Sequence, residues 1–198
     1  MTQDAMPDPF ANALFLIFVM SIAGVAHACW LRSPLSQRFA SPIDFGVTFW
    51  RHPLFGKNKT WRGLMVMPPA CAAVFYVAAI TRHHLPAWLS RGMWDLSPAN
   101  YAQLGLVCGL AFMLAELPNS FFKRQIDVAP GMAPRRPLLA ALCFVIDRLD
   151  SVVGVLLALT LLVPMSLQTW LWVLVLGPGV HWLFSVWLYR LKVKARPL

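Results

Sequence analysis

Five apolar stretches, each long enough to cross a bilayer, constrain this chain more than any other feature of its sequence. They run approximately over 10–31, 64–80, 101–117, 138–163 and 169–189, and a helix needs roughly 17 to 25 residues to cross about 30 Å of hydrocarbon. Lipid offers the backbone no hydrogen-bond partners, and none of the stretches shows strict polar–apolar alternation, so all five are predicted as helices. Pro68-Pro69 in the second and Gly177-Pro178-Gly179 in the fifth predict kinks. With 59% hydrophobic and 13% charged residues, the chain has too few polar groups to cover a soluble domain. The expected fold is all-α: one polytopic bundle of about five transmembrane helices over 1–198, with no second domain, internal repeat or low-complexity tract.

The 17 Lys and Arg residues are unevenly placed. None precedes the first stretch, and six follow it: Arg32, Arg38, Arg51, Lys57, Lys59 and Arg62. Two lie in the next connection (Arg82, Arg91), four in the third (Lys123, Arg124, Arg135, Arg136) and none in the fourth. Four close the chain (Arg190, Lys192, Lys194, Arg196), while Arg148 lies within the fourth stretch. Positive charge favours the cytosolic side, so the alternation predicts an N-terminus outside and a C-terminus in the cytosol. Met1 to Pro9 carries Asp4 and Asp8 but no cation, which argues against a cleavable signal peptide. A net charge of +9 would suggest nucleic acid in a soluble protein. Here the apolar excess points instead to anionic headgroups or phosphate-bearing substrates, with no nucleic-acid partner. The four cysteines (Cys29, Cys71, Cys108, Cys143) sit in apolar runs without C-x-x-C spacing and read as small hydrophobes.

Three clusters on the basic side carry chemistry. The first is Gly56-Lys57-Asn58-Lys59-Thr60-Trp61-Arg62-Gly63, which offers a guanidinium fork, two compact ammoniums, an amide and a hydroxyl to phosphate oxygens. The bland alternative is a positive flank with Trp61 as an interfacial anchor. The second is Glu116-Leu117-Pro118-Asn119-Ser120-Phe121-Phe122-Lys123-Arg124, where Pro118 is expected to end or bend its helix. Its carboxylate, amide, hydroxyl and two cations suit a metal and an anion together, or else a snorkelling Glu beside a basic flank. The third, Asp147-Arg148-Leu149-Asp150-Ser151, lies inside the fourth stretch. There Asp147 is roughly 14 Å and Asp150 roughly 18 Å along a helix starting near residue 138. Spacing i, i+3 puts both carboxylates on one face, extended by Ser151 and Gly154. Carboxylates at that depth are paired or functional, and a pair facing a cationic cradle suits Mg²⁺ that also binds substrate phosphates. Arg148 neutralising one Asp is the structural alternative. His181, about 12 Å from the basic end of the fifth stretch, is an acid/base or substrate contact, or a packed core histidine. His27, His52, His83 and His84 have no partners readable from sequence.

In order and placement these clusters resemble the CTP-dependent lipid cytidylyltransferases, most closely the CDP-archaeol synthase branch, over roughly residue 55 to the C-terminus. His181 also resembles a histidine of that family's last helix, where an Asn is expected four residues on and this chain has Ser185. The resemblance implies attack by a lipid phosphate on the α-phosphorus of CTP, with release of pyrophosphate. It implies that Asp147 and Asp150, with Glu116, hold Mg²⁺. Lys57, Asn58, Lys59, Thr60 and Arg62 would cradle the triphosphate, Lys123 and Arg124 would bind phosphate, and Asn119 and Ser120 would orient substrate, with His181 contributing. Expected partners are CTP, a membrane lipid phosphate and the bilayer, with a homodimer left open and the site facing the cytosol from the plasma (inner) membrane. A CDP-alcohol phosphotransferase would spread more Asp and Gly along two helices than the lone D-R-L-D found here. A transporter-like or lipid-binding bundle would use the Asp pair but leave 57–62 idle.

Overall fold

The computed structural model describes residues 6–190, so Asp4 and the tail cations Lys192, Lys194 and Arg196 lie outside the described residues. Five long helices dominate: α1 (Pro9–Arg32), α2 (Trp61–Ile80), α4 (Pro98–Gln125), α5 (Pro137–Thr160) and α6 (Leu167–Arg190), with a single-turn α3 (Ala87–Ser90) before α4. They form a ring in which α1 packs on α2, α2 on α4, α4 on α5, α5 on α6, and α6 returns to α1. Four of them, all but α5, are long and apolar enough to cross a membrane. α5 departs from the expected five only because Asp147, Arg148 and Asp150 interrupt its apolar face. Large apolar side chains point outward around the ring, among them Leu161 (85% exposed), Leu138 (76%) and Val175 (70%). Such a surface is stable only against hydrocarbon, and the chain is an integral membrane protein.

The apolar core occupies the end of the bundle away from the basic loops. Phe15, Phe75, Tyr101, Leu156 and Leu159 are fully buried there. Polar ties close this end: Asn12 donates to the Gly92 carbonyl (2.6 Å), Trp94 to that of Pro164 (3.0 Å) and the Tyr101 hydroxyl to that of Trp94 (2.8 Å).

α4 is longer than its apolar stretch suggested. It runs through Pro118 to Gln125, about 42 Å at 1.5 Å per residue, and so carries its charged turns beyond the hydrocarbon. Pro118, on an exposed face, does not end the helix, which forgoes one i→i−4 hydrogen bond there and continues. Pro68 and Pro69 likewise lie within α2. Pro68 is buried against α4, where Gly109 leaves room for it.

The connection between α1 and α2 is a splint for the first basic motif. Residues 41–43 run antiparallel to 59–61: Pro42 bridges Thr60, Ile43 N–H donates to the Lys59 carbonyl (2.9 Å) and Trp61 N–H to that of Ser41 (3.1 Å). Next in the chain, the buried Asp44 accepts backbone N–H bonds from Phe55 (2.9 Å), Gly56 (3.2 Å) and Gly46 (3.0 Å). A short hairpin (β1, Thr48–Phe49; β2, His52–Pro53) lies between and packs on α4. Burial alone would raise the Asp44 carboxyl, but the N–H groups of Phe55, Gly46 and Gly56 outweigh it and hold it below the usual carboxylate range. A depressed folded-state value means that stability is present above the ordinary carboxylate value and is lost as pH falls through the folded one. Amide-exchange protection over 44–60 is therefore expected to persist from neutral pH to about pH 4 and to fail below. Asp44→Ala should lose it throughout, at a cost of about 1–3 kcal/mol. Wild-type protection at Gly56 in that variant would remove Asp44 from its role.

Candidate active site

The three motifs, far apart in sequence, meet at the basic end of the bundle. Thr60 caps α2 in extended conformation, so Lys59 projects from the last loop residue before it toward α4. There its ammonium pairs with Glu116, each side chain 21% exposed. Glu116 Oε1 faces the Ser151 hydroxyl of α5 at 3.1 Å, and the same hydroxyl is 3.1 Å from Asp150 Oδ1. With one proton, Ser151 donates to only one of the two carboxylates at a time. Asn119 Nδ2 then donates to both Asp150 Oδ2 (2.9 Å) and Asp147 Oδ1 (2.6 Å), and Lys123 pairs with Asp147. Lys59, Glu116, Ser151, Asp150, Asn119, Asp147 and Lys123 thus form one unbroken chain of polar contacts from the loop before α2 across α4 and α5.

Helical spacing explains the convergence. Glu116, Asn119 and Lys123 fall at i, i+3 and i+7 on α4, and Asp147, Asp150 and Ser151 at i, i+3 and i+4 on α5. Each set is one face. Gly154, a turn further along α5, lies against Ala115 and Ala111 of α4, so the two backbones approach closely beside Glu116. His181 of α6 stacks edge-on to Phe112 (ring centroids 6.2 Å apart) and is within electrostatic reach of Glu116.

Arg148 departs from the structural alternative. It lies about 100° around the helix from Asp147, donates to the Phe144 carbonyl (2.7 Å) and sits 3.3 Å above the Phe144 ring. The lysines, not Arg148, neutralise the carboxylates. Ser120 is buried on α4, and among the described residues no hydrogen bond ties it to the polar chain. Lys57 and Asn58 stay exposed on the loop above the chain.

A second feature lies over the end of α4. Gly56 turns back at φ +87°, and a Cβ there would stand 2.9 Å from Pro130 and 3.3 Å from Arg124. No residue with a side chain fits that conformation in that space. Arg124 is 6% exposed, yet its Nε and Nη1 have no hydrogen-bond partner. His52 pairs with Asp127 at 3.2 Å and so ties the hairpin to the turn that follows α4. An unpartnered, buried guanidinium in the last turn of α4 has the chemistry to accept an anion.

Among the described residues, no three His, Cys, Asp or Glu side chains converge on a point as a self-sufficient metal site. The donor set still fits a hard divalent cation such as Mg²⁺, which is held by one or two carboxylates, waters and substrate phosphates rather than by a protein cage. Asp147 and Asp150, bridged by one Asn119 amide, supply that pair.

Two features were not read from the sequence. Asp44 lies in a loop and is tied to residues 11 and 12 positions away. His27, on α1, sits beside Gly63 with Glu116 and Arg62 as its charged neighbours. Its signal was available: an imidazole within an apolar span is a functional candidate by default.

Residues 32–198 match the CarS-like family, described as CDP-archaeol synthase. The chain is 30% identical over 178 residues to the CDP-archaeol synthase of Pyrococcus abyssi, covering 83% of this chain and 88% of that one. It is 28% identical to the protein of that name from Pyrococcus furiosus (83% and 88% covered) and 26% identical to that from Thermococcus onnurineus (90% and 99%). Its fold is similar, at a TM-score of 0.57 and 21% identity, to a solved structure described as an intramembrane enzyme for archaeal membrane lipids biosynthesis, over 85% of this chain and 89% of that one. At that identity the likeness is one of fold.

Proposed function

The chain belongs to the CarS-like family of CDP-archaeol synthases, which are lipid cytidylyltransferases, and on that premise we propose that it transfers CMP from CTP to a membrane lipid phosphate. A phosphate oxygen of the lipid forms a bond to the α-phosphorus of CTP, the bond from that phosphorus to the β-phosphate oxygen breaks, and pyrophosphate leaves. The observation that carries this is the unbroken polar chain from Lys59 to Lys123, which joins a cationic loop to two intramembrane carboxylates.

Such a transfer needs positioning and charge neutralisation more than a protein nucleophile. Lys59 and Lys123 now occupy Glu116 and Asp147. With CTP bound, the two ammoniums are placed to turn to phosphate oxygens, which would free the carboxylates to hold a divalent cation. A Mg²⁺ bound by Asp147 and Asp150, with Glu116 beside them, would neutralise charge on the triphosphate. Lys57, Asn58 and Thr60 surround the phosphates from the loop and Arg62 from the first turn of α2, Arg124 takes an anion, Asn119 keeps the two aspartates in register, and His181 flanks Glu116.

Ile43, Leu64, Met113, Leu114 and Leu117 make an apolar surface beside Lys59 and Thr60, against which the chain of a lipid phosphate would lie while its head meets the cations. Nothing in an aliphatic wall reads an ester from an ether, and the relatives' name supports an archaeol-type diether as the first lipid phosphate to test. The basic end faces the cytosol of the plasma (inner) membrane, where CTP is made.

The test uses membrane vesicles of known sidedness carrying the full-length protein, with labelled CTP, Mg²⁺ and a panel of diether and diacyl lipid phosphates. Labelled CDP-lipid and pyrophosphate are expected when CTP is supplied to the cytosolic face, and not when it is supplied to the other. Absence of both products across the whole panel would end the enzyme reading; product only from the outer face would reverse the orientation.

A further inference from the structure

Beyond these residues, and resting on the cytidylyltransferase reading, we propose that His27 of α1 is a phosphate-binding residue of the same site. α1 is clamped to the start of α2 by one bond, from Trp30 Nε1 to the Arg62 carbonyl (2.9 Å). His27 lies three residues before Trp30 and so on the same face of α1. That face meets Gly63: a Cβ there would stand 3.5 Å from His27 Nε2 and 2.8 Å from Met113 Cε. The imidazole thus reaches the α2–α4 seam at the height of Gly63 and Met113.

At the seam, two buried nitrogens lack partners. His27 Nε2 has no hydrogen bond, and neither has Arg62 Nε on the next residue to Gly63. The charges that act on His27 are Glu116 of the polar chain and Arg62 itself. Polar atoms removed from water without a partner are costly, and an acceptor within reach of both nitrogens would satisfy the two at once. Its position beside the Arg62 guanidinium favours an anion over a neutral group. A phosphate oxygen meets every one of these requirements. That oxygen belongs either to the triphosphate of CTP or to the lipid headgroup, and the geometry is the same for both.

Two isosteres separate this role from packing. The amide of His27→Gln ends near the position of Nε2, whereas that of His27→Asn ends near Nδ1 and cannot reach the seam. For each variant, KM for CTP, KM for the lipid phosphate and kcat are measured, together with thermal stabilisation of the detergent-solubilised protein by inorganic pyrophosphate. His27→Asn is expected to raise one KM by about tenfold, the loss of one hydrogen bond to a charged group, with kcat within about twofold. His27→Gln should recover most of it. A rise for CTP together with weaker stabilisation by pyrophosphate assigns the triphosphate; a rise for the lipid alone assigns the headgroup. Unchanged values of both KM in His27→Asn would overturn the proposal, as would equal losses in the Asn and Gln variants. If the wild type forms no CDP-lipid, the enzyme reading fails separately, and pyrophosphate decides His27. In that case, wild-type stabilisation in His27→Asn, or none in the wild type, overturns it.

Discussion

Asp150→Asn is expected to lower the rate of CDP-lipid formation by at least about 100-fold while leaving the bundle folded. Changes to groups that merely orient a metal ligand cost about 10- to 100-fold, and a change to the ligand itself costs at least that. Asp150 is held from three sides, by Asn119, by the Ser151 hydroxyl and by the Ser151 backbone N–H. An asparagine keeps one oxygen for those donors and loses the charge, so packing survives and cation affinity does not. The charge balance explains the size of the effect. Three carboxylates (Glu116, Asp147, Asp150) face two ammoniums (Lys59, Lys123), and Asp150 is the carboxylate with no cationic partner among the described residues. Removing its charge removes the site's excess of negative charge, which is what attracts a divalent ion. The measurement is turnover against Mg²⁺ concentration, with the thermal transition recorded alongside. Turnover equal to wild type at limiting Mg²⁺ would cancel the metal role. A collapsed thermal transition would show instead that Asp150 is structural.

The helices were legible because lipid makes apolar runs unambiguous, and the three clusters were legible because each is contiguous. What joins them was not. The Lys59–Glu116 pair spans 57 residues and Asn119–Asp150 spans 31, and no local pattern encodes either contact. Helix periodicity foretold that Asp147 and Asp150 share a face, and it also argued, had it been pressed, that Arg148 lies off it. The extent of α4 is not legible from Pro118 alone, because a proline can mark an end and only the packing of the turn beyond it decides whether the helix continues. Asp44 and its splint escaped for a different reason: a lone acidic residue in a loop has no signature until its backbone donors are brought to it.

Gly109→Val carries the largest expected effect on stability, and through it on the site. A Cβ at Gly109 would lie 2.5 Å from Pro68 Cα and 2.8 Å from Met67 O, and one at Gly105 would lie 2.5 Å from Cys71 O. These are backbone atoms, so no side chain can swing away; α2 and α4 must separate. Without a hydrophobic drive between helices in lipid, such small-residue contacts supply much of the packing. Overpacking commonly costs about 1–3 kcal/mol, and a backbone clash belongs at the upper end. Glu116 lies two turns beyond Gly109 on α4, while Lys59 is carried at the start of α2. Separating the helices therefore pulls apart the pair that links the cationic loop to the carboxylates, and activity should fall more than stability alone explains. Gly179→Ala is the control, since nothing lies within 4 Å of a Cβ there, and helix propensity makes it neutral or mildly stabilising. Thermal transitions and turnover of the two variants in the same detergent decide the matter. If Gly109→Val unfolds at the temperature of Gly179→Ala and turns over as fast, the α2–α4 seam does not set the geometry of the site.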